Sequence, residues 1–186
     1  MMNRKIILPV MIVLGFVIGI YVASFSNVNM MNTASDSGFK FSNQVCVSKN
    51  GVLLGCSHNV FTNAGKSLVM DYLFNNSVAP GNWIEYIAVG NGTVPVVGST
   101  TLDSEIPDCG FARAIATSIS TNATPGVRFV SKVFTMGGGC TGTRIVNTTG
   151  LFNQTSGGTL FAGNSFTDAS LQSNDQLNIT WTLAVS

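Results

Sequence analysis

The chain is predicted to be all-β: an antiparallel β-sandwich, jelly-roll or Ig-like, with one short helix, preceded by an N-terminal transmembrane or signal helix. Three observations lead there. From Lys40 onward, turn-forming residues recur at short intervals with brief alternating runs between them, the mark of many short strands. Leu177, Ile179, Trp181 and Leu183 alternate with Asn178, Thr180 and Thr182, which gives a strand one apolar and one polar face. Residues Ile6 to Phe25 hold no charged side chain over twenty positions, enough at about 1.5 Å per residue to span a hydrocarbon core of about 30 Å.

Composition narrows the function classes. Hydrophobic residues make up 45% of the 186 positions, and only 9% carry charge, against roughly 25% in an average soluble protein. The apolar excess sits in the N-terminal run, while the body is rich in Ser, Thr, Asn and Gly. A net charge of +1 offers no basic footprint for nucleic acid. One histidine and no cysteine cluster leave little for metal or redox chemistry. No catalytic residue, cofactor or metal is expected.

The first element is residues 1–25, read as a signal-anchor or a signal peptide. Asn3-Arg4-Lys5 precedes the apolar run, and the basic end stays in the cytoplasm. Val22-Ala23-Ser24 would serve as a cleavage site, but the run exceeds the usual 7–15 residues of a cleaved signal. A retained anchor, touching the membrane through residues 6–25, is therefore the preferred reading. A pilin-like helix is the other option, and the small residue normally found at its processing site is missing after Lys5. Residues 26–39 are polar and aperiodic, a linker or stalk. The external domain is 40–186, which makes the protein membrane-anchored or secreted, at a cell surface or on a virion.

All four cysteines, Cys46, Cys56, Cys109 and Cys140, fall in that external part, as in disulfide-bonded exported chains. Cys46 and Cys56 flank Asn50-Gly51, a dipeptide suited to a type I′ hairpin turn. Counting outward from the turn brings the two nearly opposite, with a one-residue offset that a bulge absorbs. Of the three possible pairings, Cys46–Cys56 with Cys109–Cys140 is expected. Six glycosylation sequons occur, at Asn75, Asn91, Asn122, Asn147, Asn153 and Asn178.

Between these lie the remaining elements. After Thr62, a candidate N-cap, the apolar positions Ala64, Leu68, Val69, Tyr72 and Leu73 follow helical spacing, so 63–74 is expected to be an amphipathic helix. Trp83–Val89 and Val127–Met136 are apolar enough for strands buried on both faces. Phe111–Ser120 alternates, with Phe111, Ile115 and Ile119 on the apolar side together with Arg113, which then needs a partner. Leu160–Phe166 is a shorter strand.

Asp103, Glu105 and Asp108 are the acidic cluster. Glu105 is expected to form a structural ion pair with Arg113 while the aspartates cap turns; calcium ligation is the alternative. A secreted hydrolase would need Asp103 and Glu105 to face a cleft. His58 has no second histidine beside it and reads as a hairpin residue. Gly90-Asn91-Gly92-Thr93 lacks the lysine of a phosphate loop and reads as a tight turn.

The order of short motifs carries one resemblance. Thr62-Asn63-Ala64-Gly65 is followed by Gly90-Asn91-Gly92-Thr93 and Leu102-Asp103-Ser104-Glu105. Then come Gly150-Leu151-Phe152-Asn153 with Gly157-Gly158-Thr159, and Ile179-Thr180-Trp181-Thr182. Over residues 60–184 this resembles a class of small phage tail and virion structural proteins. The resemblance implies a β-rich module that assembles or adheres, through copies of itself or other surface or virion proteins. The membrane segment and the cysteines depart from that pattern and point to display on a surface. Charge is scarce at the strands, so Ser26–Val45 is also considered as a strand donated to a neighbour's open edge.

Overall fold

The computed structural model describes residues 40–74, 83–121 and 123–185. The expected membrane segment 1–25, the linker 26–39, and the sequons at Asn75 and Asn122 lie outside the described residues. Among the described residues no helix is long and apolar enough to cross a membrane.

Lys40–Ser186 forms one compact unit. It holds ten strands: β1 (Phe41–Lys49), β2 (Val52–His58), β3 (Val60–Phe61), β4 (Tyr86–Gly90), β5 (Ala114–Ile115), β6 (Ser118–Thr121), β7 (Val127–Thr135), β8 (Arg144–Phe152), β9 (Leu160–Leu171) and β10 (Gln176–Val185). A single helix among the described residues, α1 (Asn63–Phe74), follows β3. The strands make two five-stranded antiparallel sheets, β2-β1-β10-β7-β6 (sheet A) and β3-β9-β8-β4-β5 (sheet B).

Four of the pairings are nested along the chain: β1 with β10, β3 with β9, β4 with β8, and β6 with β7. The chain is thus a long hairpin rolled into two layers. The first and last of its strands lie side by side, and β10 is interior to sheet A. That position explains how β10 has no charge and needs none, because both of its edges are already paired.

The core lies between the sheets. Val45 and Val47 of β1, Val130 and Phe134 of β7, and Leu177, Ile179 and Trp181 of β10 meet Ile87, Val89, Leu151, Phe161 and Leu171 of sheet B. Alternation places these residues inward, one in two along each strand. Sheet B is covered on its other face as well. Ala88, Phe152 and Leu160 pack there against Leu102, from the long connection between β4 and β5. A sheet buried on both faces needs apolar residues at consecutive positions, as in Ile87-Ala88-Val89 and Leu151-Phe152.

Helix α1 begins as its sequence requires. The Thr62 hydroxyl accepts from the Gly65 N–H at 2.9 Å and donates to the Leu160 carbonyl, so the cap also fastens the helix to β9. Gly65 is needed for that approach: a Cβ there would lie 2.1 Å from the Phe161 carbonyl oxygen.

Five expectations are corrected. The strand expected over Trp83–Val89 begins only at Tyr86, and Trp83 is exposed. The short strand expected over Leu160–Phe166 continues to Leu171. Phe111–Ser120 is not one strand but two, in different sheets. The Ala116 N–H donates to Glu85 beside sheet B and the Thr117 N–H to Ser131 of sheet A, each at 2.8 Å, so the chain crosses between layers at that point. Ile115 and Ile119 consequently face solvent. β7 is not buried on both faces, since Val133 is exposed on the side of sheet A away from the core. In α1, Leu73 is exposed, and the buried positions are Gly65 and Leu68.

Candidate functional site

The Asn50-Gly51 turn joins β1 to β2 with φ of 48° and 81°, the left-handed values that a type I′ turn needs at both positions. Leu54 is the extra residue: Ser48 faces Leu53, Val47 faces Gly55, and Cys46 directly faces Cys56. Their sulfurs are bonded, and so are those of Cys109 and Cys140. The first disulfide locks the edge strand β2 to β1. The second ties the turn before Phe111 to the loop after β7. No described cysteine is free.

The hairpin turn is fastened to the β9–β10 turn through Asp175. Its carboxylate accepts from Asn50 Nδ2 at 2.7 Å, from the Gln172 N–H at 2.8 Å and from Lys49 Nζ at 2.9 Å. Asn50 Oδ1 accepts the Gln176 N–H at 2.7 Å. The Asn50 bond first, then the Gln172 and Lys49 bonds, pull the Asp175 carboxyl down to about 2, since each donor favours the ionised form. Lys49 also donates to the Ser170 carbonyl at 2.6 Å.

The acidic cluster is dispersed over three fastenings. The Thr93 N–H and hydroxyl each donate to Asp103 at 2.9 Å. These bonds, the backbone one first, hold its carboxyl below the usual carboxylate range. Glu105 takes a bidentate ion pair from Arg113, whose Nε reaches Oε1 at 3.0 Å and whose Nη2 reaches Oε2. Asp108 pairs with Arg144 at 2.8 Å. Among the described residues no three of His, Cys, Asp and Glu gather closely enough to hold a metal ion.

Arg113 is the most constrained of these groups. Its guanidinium lies 3.5 Å from the centre of the Phe152 ring, a cation–π geometry, and its side chain is 8% exposed. Nη1 also donates to the Gly157 carbonyl at 2.6 Å and the Gln154 carbonyl at 3.3 Å. One side chain therefore pins the β8–β9 turn, the covering connection and the outer face of sheet B.

The described sequons differ in access. Asn91 is exposed in its turn. Asn153 is buried, and its Oδ1 accepts the Thr159 N–H at 2.7 Å. Asn147 and Asn178 are half-buried with Oδ1 enclosed; Asn178 lies on the outer face of sheet A between Ser48 and Val133.

Sequence reasoning missed the surface at the disulfide-bonded hairpin. Val52 is 68% exposed and Leu53 62%, with Leu54 beside them on a strand that is outermost in sheet A among the described residues. The absence of charge from Val52 to His58 was the available signal. No protein-family model matches the chain, and the comparison with curated proteins gave no match.

Proposed function

We propose that the protein is an exported structural or adhesive surface module, non-catalytic, held at the membrane by residues 6–25 and displaying its β-sandwich outside. The two disulfides carry this reading, because such bonds persist in oxidising compartments. The nested hairpin pairing supports a jelly-roll variant over an Ig-like one, with its inner strand pairs exchanged between sheets. The proposed kinship with small phage tail and virion structural proteins rests on the order of the sequence motifs, and its expected role is assembly or adhesion. The exposed Asn91 is the preferred site for a glycan. Protease treatment of intact cells, followed by fractionation, is the test. Loss of the 40–186 domain with a membrane-bound remnant is expected; a full-length chain recovered from a protected soluble fraction would overturn the reading.

The two other readings have less support. A hydrolase of the paired-carboxylate type needs one carboxyl with a raised pKa to act as the acid, whereas the Asp103 pKa is lowered and Glu105 is bonded to Arg113. Strand donation from Ser26–Val45 loses Phe41–Val45, which pair with β10 of the same chain, Gln44 and Val45 with β2 as well.

A further inference from the structure

We propose that β2 is a self-association edge, at which two copies of the domain join sheet A to sheet A about a twofold axis. The inference rests on the surface-module reading only in that anchored copies meet on a common surface.

Among the described residues four strands lie at sheet edges, and at the end of β2 the Ser57 carbonyl is already taken by Asn164 Nδ2 of β9. β3 and β5, the edges of sheet B, have two residues each, too few for a ladder. β6 has four and β2 has seven. Proteins normally guard such edges with lysine, other charges or proline. β2 has none of these, its guard being the bulge at Leu54, and the nearest lysine is turned away, because Lys49 is held by Asp175 and the Ser170 carbonyl. The Cys46–Cys56 bond fixes the edge in place, so little order has to be acquired on pairing.

Strand direction selects the occupant. Successive antiparallel pairings from β2 through β1, β10 and β7 make β2 and β6 run the same way. A copy added head to tail, with its core on the same side, would therefore pair β6 with β2 in parallel, the less stable arrangement. A twofold axis perpendicular to the sheet instead sets β2 against β2 antiparallel and closes the assembly at two. An uncharged strand meets itself without like-charge repulsion. With the axis beside Leu54, Leu54 of each copy lies against Leu54 of the other and Leu53 against Gly55, covering part of the apolar surface that is otherwise exposed. The bulge at Leu54 keeps the ladder short, so these side chains must contribute much of the contact.

The test is sedimentation equilibrium of the full chain in mild detergent, comparing the native protein with L53K and I119K. Leu53 and Ile119 are both exposed on edge strands, so retained near-ultraviolet dichroism reports that each variant is folded. Two-chain mass for the native protein and I119K, with single-chain mass for L53K, is expected. A native protein that stays single over the whole concentration range would overturn the proposal, as would an L53K variant that remains paired. Protease accessibility on intact cells is indifferent to either result, so failure of this edge leaves the surface reading standing.

Discussion

Arg113 shows how much of a scarcely charged protein can depend on one cation. It stacks on Phe152, pairs with Glu105 and caps two carbonyls of the β8–β9 turn. Arg113→Ala strands a half-buried carboxylate and frees those carbonyls, and is expected to cost about 2–4 kcal/mol, measured by denaturant unfolding. Glu105→Gln should cost less, since it removes charge but keeps an acceptor. Asp175 gives a pH signature. Its folded pKa, about 2, lies below the ordinary 3.8, so its contribution is complete above about pH 4 and is lost as pH falls through 2. Melting temperature should decline across that window, and less steeply in Asp175→Asn. An identical slope in the two proteins would remove Asp175 from the account.

At the scale of elements, helix α1 depends on close approach to β9. Gly65→Ala places a methyl group into the Phe161 carbonyl and is expected to destabilise by about 3 kcal/mol. Thr62→Ala loses the cap and should cost about 1 kcal/mol; both are read from thermal unfolding. The helix was legible because cap and apolar spacing lie within a dozen residues. So was the first hairpin, where Asn-Gly and the flanking cysteines specify turn, register and bulge together. Strand β10 was legible through its strict alternation. What local pattern does not record is which sheet a strand joins. The layer crossing at Ala116-Thr117 depends on Glu85 and Ser131, far away in sequence. The same holds for the covering of sheet B: Leu102 looks like a loop residue until Phe152 and Leu160 are placed beneath it. Arg113 on an apolar side was legible as a group needing a partner, but the Phe152 ring and the turn carbonyls were not.

The Lys40–Ser186 unit is a rolled hairpin cross-linked by two covalent bonds. Cys109 and Cys140 are 31 residues apart and Cys46 and Cys56 are 10 apart. In the chain-entropy model, closing such loops stabilises by about 3.5–4 and about 2.5–3 kcal/mol respectively. Reduction should therefore lower the unfolding midpoint markedly, with the Cys109–Cys140 bond contributing more in single-pair Cys→Ser variants. A sandwich with few charges draws little stability from surface ion pairs, so salt should shift its midpoint only slightly. The account as a whole stands on the oxidised state of the chain in its own compartment, for both the hairpin edge and the surface role assume it. The direct measurement is non-reducing peptide mapping of protein from its native source, with free thiols alkylated at lysis. Peptides linked Cys46 to Cys56 and Cys109 to Cys140, with no alkylated cysteine, are the expected result; four alkylated cysteines would mean a reducing compartment and would contradict the account.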